Sequence, residues 1–128
     1  MKKHLLFFSL FLVLVSCMDK SKSASVNEPF KLVSTNLAKA KLNIGNGNTI
    51  FVEIGSKSCY SCQVMGKQLE AIKNQNKKFN VMFVDVYENP NAANEFNVTG
   101  IPLQIIYDGK GKEVFRHIGV LEPVQIQK

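Results

Sequence analysis

Two short apolar runs separated by a helical pattern constrain this chain more than any other feature. Ile50-Phe51-Val52-Glu53-Ile54 is β-branched and aromatic, and so is Phe79-Asn80-Val81-Met82-Phe83-Val84-Asp85-Val86. Both read as strands, and the second is dense enough in apolar residues to predict an interior place in a sheet. Between them Val64, Met65, Leu69 and Ile72 recur at helical spacing up to about Lys73, with Ser58 as the candidate cap. Asn89 and Pro90 open a short helix carrying Ala92, Ala93 and Phe96. Leu103 to Tyr107 reads as a strand, Asp108-Gly109-Lys110-Gly111 as a turn, and Glu113 to Ile118 as its antiparallel partner. Gly119 ends that strand, and Glu122-Pro123 starts a last short helix. Upstream, Ser34 is placed to cap a helix over Thr35 to Leu42 with Leu37, Ala38 and Leu42 turned inward, and Phe30 to Val33 is a further candidate strand. Strands alternating with helices and finishing in a hairpin predict an α/β fold, a mixed sheet with helices on both faces.

The first 16 of the 128 residues do not fit that fold. Lys2, Lys3 and His4 precede an apolar run from Leu5 to Val15 broken only by Ser9. The run is shorter than the roughly 20 residues of a permanent membrane span and has no polar face. It reads as an export signal, and Leu14-Val15-Ser16-Cys17 resembles the lipobox of bacterial lipoproteins, in which cleavage precedes a Cys that carries the lipid. A buried N-terminal helix and a plain secretory signal cut beyond Cys17 are the competing readings. The cysteine count favours lipidation, since a lipid on Cys17 leaves one pair, Cys59 and Cys62, in an exported protein. Residues 17–28 contain almost nothing that could fill a core and read as a tether. The folded domain is therefore expected over 29–128, a single unit held by its apolar core.

The formal net charge of +6 includes Lys2 and Lys3, which leave with the signal. The remaining lysines are scattered, with Lys77-Lys78 the one adjacent pair, and no aromatic and arginine-rich surface accompanies them. No nucleic-acid partner is expected. Membrane attachment is expected to rest on the lipid.

Chemistry concentrates at Cys59-Tyr60-Ser61-Cys62. Two cysteines spaced by two residues at a helix start can close a disulfide while the first stays at the exposed end. There, unpaired N–H groups and the helix dipole favour a thiolate on Cys59. Cys62, one turn later, is placed to resolve a mixed disulfide. Lys57 adds a positive charge nearby. Half a zinc site and an inert structural bridge are the alternatives. Zinc asks for three or four ligands, and His117 is the one other soft or borderline candidate in the mature chain, so no metal is expected. A bridge over so short a loop adds little stability through chain entropy.

From about Thr49 to Gly119 the chain resembles thioredoxin. Its Phe96-Asn97-Val98-Thr99-Gly100-Ile101-Pro102 stretch and Asp-Gly-Lys-Gly hairpin resemble the C-terminal thiol domain of the electron-transfer protein DsbD. The resemblance implies a thioredoxin-like fold in which Ile101-Pro102 is cis and faces the dithiol. It implies that Tyr60, Ser61, Ile101 and Pro102 border the substrate, with the Ile101 backbone open to pairing with an extended segment. Glu53, six residues before Cys59 in a central strand, stands where the family keeps a buried acid. A carboxyl inside Phe51-Val52-Glu53-Ile54 is costly to bury charged, and a raised pKa would let it exchange a proton with Cys62. The chain departs from thioredoxin in having Ser58 for a Trp, Tyr60-Ser61 for Gly-Pro, and Gly66 and Lys67 near the usual helix Pro; its last helix is also short.

These features together predict an extracytoplasmic thiol–disulfide oxidoreductase acting on protein disulfides, with no cofactor beyond the Cys59–Cys62 pair. The expected setting is a bacterial membrane lipoprotein, monomeric and periplasm-facing. Its partners would be exported proteins with thiols or disulfides and an upstream thiol redox protein. The resemblance points to the reducing direction. A disulfide-forming oxidase and a tethered binding or chaperone module without exchange are the alternatives.

Overall fold

The computed structural model describes residues 30–127; the signal segment, Cys17, the tether, and Pro29 and Lys128 at the bounds of the expected domain lie outside the described residues. In chain order the elements are α1 (Leu37–Asn43), β1 (Ile50–Gly55), α2 (Tyr60–Gln75), β2 (Val81–Asp85), α3 (Ala92–Glu95), β3 (Leu103–Tyr107), β4 (Glu113–Ile118) and α4 (Pro123–Ile126). The four strands form one sheet in the order β2-β1-β3-β4. β1 runs parallel to β2 and antiparallel to β3, and β3 pairs antiparallel with β4. The architecture is the mixed α/β sheet that the sequence predicts.

The pleat sorts the core into two layers. Ile50, Val52 and Ile54 of β1 join Met82, Val84, Leu103 and Ile105 on one face, packed with Ala40 of α1, Ala92 of α3 and Phe96. Phe51 and Val81 face the other way, with Met65, Leu69 and Ile72 of α2, Leu121, and Ile126 of α4. Each apolar side chain fully buried here contributes about 1.5–3 kcal/mol relative to exposure. α4 is short but well made: Pro123 opens it, and Glu122 and Gln125 form a capping box in which the Glu122 N–H donates to Gln125 Oε1 at 2.9 Å.

Several expectations are corrected. β2 is an outer strand of the four-stranded sheet, although all five of its residues are buried. Its burial comes from helices on both faces and from a chain segment along its open edge. Ser34 forms an isolated parallel bridge to Phe83, and the Thr35 N–H donates to the Phe83 carbonyl at 2.7 Å. That bridge is all that forms near the expected strand over Phe30 to Val33. Phe30 nevertheless anchors the segment, its ring edge-on to Phe83 at 4.9 Å. α1 is capped by Asn36, which accepts from the Lys39 N–H at 2.8 Å, and not by Ser34. Ala40 is buried and Leu37 packs against the same core, as expected, whereas Ala38 is exposed and Leu42 is 80% exposed. Leu37, Ala40 and Ile44 follow helical spacing along the inward face, which leaves Leu42 on the solvent side. α2 runs on to Gln75 and is capped by Cys59, not Ser58, and Val64 on its flank is half-buried.

At the end of the sheet where β1 begins, main chain meets main chain. The Gly47 N–H donates to the Gly109 carbonyl at 2.9 Å. A Cβ on Gly109 would stand 2.6 Å from the Gly47 oxygen, so the hairpin turn and the α1–β1 connection approach each other because a side chain is missing.

Candidate active site

β1 delivers the chain to the site through Gly55. A Cβ there would lie 3.0 Å from Cys62 Sγ and 3.2 Å from Cys62 Cβ, so the absence of a side chain lets the second cysteine sit directly on the strand end. The following loop is fastened from within and from outside. Ser56 Oγ lies 2.8 Å from Ser58 Oγ and accepts from the Ser58 N–H at 3.1 Å, and the Cys59 N–H donates to the Ser56 carbonyl at 3.2 Å. From β2, the buried Asp85 carboxylate accepts from the Lys57 N–H at 3.0 Å and the Tyr87 N–H at 2.8 Å. The Lys57 ammonium pairs with Glu88 at 3.2 Å on the surface, which spends its charge away from the thiols.

Cys59 caps α2 with its own sulfur. Its Sγ accepts from the Cys62 N–H at 3.3 Å and lies 3.3 Å from Ser61 Oγ. Partial burial pushes the Cys59 thiol up, but hydrogen bonds from Cys62 and Ser61, through side chains and backbone, outweigh it and bring the pKa below the ordinary thiol value. Cys62 is 1% exposed and behaves in the opposite sense. Burial first, then its hydrogen bond to Cys59 and the charges of Cys59 and Glu53, push it up to about 12. Both thiols are free.

Glu53 is fully buried in β1. Burial raises its carboxyl well above the usual carboxylate range, opposed by a hydrogen bond from Gln104 and reinforced by the charge on Cys59. Gln104 Nε2 donates to Glu53 Oε2 at 3.1 Å, while Glu53 Oε1 has no hydrogen-bond partner. A buried carboxyl with one free oxygen and a raised pKa is suited to holding a proton and passing it on.

The expected residues converge to different degrees. Cys59, Cys62 and Glu53 belong to one electrostatically linked group. Ser61 belongs to the thiol itself, whereas the Tyr60 side chain is 70% exposed beside it. The Ile101-Pro102 bond is cis. Ile54 pairs with Leu103, so Pro102 comes to the same end of the sheet as Gly55, the residue that abuts Cys62. Ile101 is half-buried, and the Pro102 carbonyl accepts from the Gly119 N–H at 2.8 Å. Among the described residues no group of three or more His, Cys, Asp or Glu side chains is placed to hold a metal ion.

Sequence reasoning missed Gln104 and Asp85. Gln104 carries the same signal as Glu53, one polar residue inside an apolar strand, and the two stand opposite each other across β1 and β3. Asp85 ends its strand, and its work is done entirely on backbone N–H groups, which leave no mark in sequence.

Comparison with known proteins agrees with this geometry. The family model of a thioredoxin-like domain matches residues 37–128. The SPbeta prophage-derived thioredoxin-like protein YosR of Bacillus subtilis (strain 168) is 30% identical over 70 residues, covering 53% of this chain and 79% of that protein. A thioredoxin of Chlamydia trachomatis serovar D is 27% identical over 71 residues, covering 56% of this chain and 69% of that one. A chloroplastic thioredoxin z shares the fold with a TM-score of 0.66 at 22% identity, over 77% of this chain and 90% of that one. With a part-exposed thiol of lowered pKa at a helix start, a shielded second thiol behind it and a matching domain over most of its length, the chain belongs to the thioredoxin-like family and has the active-site pair of a thiol–disulfide oxidoreductase.

Proposed function

We propose that this protein reduces disulfides in exported proteins from a lipid anchor on the outer side of a bacterial membrane. The asymmetry of the dithiol carries the catalytic part of the reading: Cys59 is accessible and shifted toward thiolate, and Cys62 is shielded and held protonated. The Cys59 thiolate attacks one sulfur of a substrate disulfide, forming a mixed disulfide and expelling the other substrate sulfur as a thiolate. Cys62 gives its proton to Glu53 and attacks Cys59 Sγ. The mixed disulfide breaks, the substrate leaves with both sulfurs reduced, and Cys59 and Cys62 are left oxidised to a disulfide. An upstream dithiol protein returns the two electrons.

The reducing direction is supported by the resemblance of Phe96–Pro102 and the Asp-Gly-Lys-Gly turn to the DsbD thiol domain, and the location by the Leu14-Val15-Ser16-Cys17 segment. The protein acts as a monomer on this reading.

Insulin-disulfide reduction with a chemical reductant tests the activity. Wild type should accelerate it, and Cys59→Ser should fall to the uncatalysed rate; equal rates overturn the reading. Cys62→Ser should accumulate mixed disulfides with its substrates, and the redox state of those partners in cells reports the direction. Replacing Cys17 with Ala should move the protein out of the membrane fraction, and unchanged partitioning removes the anchor.

A further inference from the structure

The polar row that starts at Glu53 continues past Gln104. Glu53 lies opposite Gln104 in the β1–β3 register, and Gln104 lies opposite His117 in the β3–β4 register. Directly opposed residues in antiparallel pairs share a face, with Cβ atoms about 4.5–5.5 Å apart. The three side chains therefore stand in line across three strands on the α2 side of the sheet. Burial falls along the line: Glu53 and Gln104 are fully buried, while His117 is half-buried on the outer strand, its ring stacked on Phe115 with centroids 6.4 Å apart. With its Nε2 committed to Glu53, Gln104 has its Oε1 left buried without a hydrogen-bond partner. An unsatisfied buried acceptor is costly, and the neighbouring side chain on the far side of the row carries a ring N–H.

We propose that His117 acts through Gln104 to set the proton affinity of Glu53. A turn of the His117 ring brings an N–H onto Gln104 Oε1. That bond polarises the amide and strengthens the Nε2–H donated to Glu53 Oε2, which favours the carboxylate able to take the Cys62 proton. Cys59, the cap of α2, and Cys62 within it are the thiols being served. Glu113 and Arg116 of β4 pair with each other, and Arg116 reaches the Phe96 carbonyl on the opposite face. Glu122 turns its carboxylate onto the first turn of α4. Gln104 and His117 are positioning residues: neither touches substrate.

The proposal rests on Glu53 being the proton acceptor for Cys62, and its test needs no protein substrate. Reduced protein is mixed with oxidised glutathione, and the lifetime of the Cys59–glutathione mixed disulfide is read by acid quench, alkylation and mass spectrometry. In the decay step the Cys62 sulfur bonds to Cys59 Sγ, the bond to glutathione breaks, glutathione leaves as thiolate and the Cys62 proton passes to Glu53. The lifetime is followed as a function of pH, because burial raises the Glu53 carboxyl above the usual carboxylate range. An effect carried by a hydrogen-bond chain should fall below that of a direct acid–base group, so His117→Ala should lengthen the lifetime about three- to fivefold near pH 7 and move the midpoint of the profile upward. His117→Gln, which keeps an N–H donor, should recover most of the rate and return the midpoint toward that of wild type. Gln104→Leu should resemble His117→Ala, and if it fails to fold, the exposed-edge His117 variants carry the test. A wild-type lifetime and midpoint in a folded His117→Ala protein overturn the proposal. Insulin reduction by wild type is scored separately, so loss of the protein-substrate reading and loss of this one are distinguishable.

Discussion

The two faces of the sheet are built from alternate residues of the same strands and have opposite characters. Toward α1 and α3, the strands present Ile50, Val52, Ile54, Met82, Val84, Leu103 and Ile105, with no polar group among them. Toward α2, the intervening positions include Phe51 and Val81 but also Glu53 and Gln104, both fully buried. One face is purely apolar, and the other, one residue out of step, sets a buried acid and amide within its apolar layer. The period of two in a strand makes this separation possible, and it makes the register between strands part of the active site.

The comparison breaks if the apolar face proves catalytic or the polar face proves inert. Ile105→Ala should have the largest effect, a loss of about 2–5 kcal/mol, seen as a fall in Tm, with the rate per folded molecule unchanged at low temperature. A slowed rate in folded protein would show that the two faces are not independent. Gly55→Ala forces a methyl against Cys62 Sγ and should cost about 1–3 kcal/mol while slowing decay of the mixed disulfide.

Glu53→Gln should move rate and stability in opposite directions. Burial raises the folded pKa of Glu53 above its unfolded value, so the native state holds a proton that the unfolded chain gives up. Below the unfolded pKa of about 4.3 both states are protonated and the carboxyl carries no penalty. As pH rises from there through the folded pKa, wild type loses stability. Glu53→Gln should therefore match wild type near pH 4 and become more stable at neutral and alkaline pH, by on the order of 1 kcal/mol. Exchange should slow about tenfold with the proton acceptor gone. Thermal melts across the pH range check the first, and glutathione turnover checks the second. At the small end, Leu42→Lys on exposed α1 should change stability by less than about 0.5 kcal/mol in a denaturant titration.

The strand and helix order, the hairpin, the dithiol at a helix start and the buried acid were all legible in the sequence, because each leaves a local pattern: β-branched runs, turn glycines, a fixed cysteine spacing. What stayed hidden depended on partners distant in the chain. β2 looks interior by composition, yet its edge is closed by Ser34 and Thr35, a segment with no strand pattern. Cys59 displaced Ser58 as the α2 cap because its sulfur can take the Cys62 N–H, a choice that hydroxyl preferences alone do not reveal. Gln104 reads as a lone interruption until the β1–β3 register sets it against Glu53.

The contact between Gly47 and Gly109 has a mechanical consequence. Two connections far apart in the sequence are joined by main chain with no side chain between them, so neither has a rotamer with which to yield. They should open together: the Gly47 amide should exchange its hydrogen only when the β3–β4 hairpin turn lifts, and a residue inserted into that turn should loosen the entrance to β1 as much as the hairpin itself.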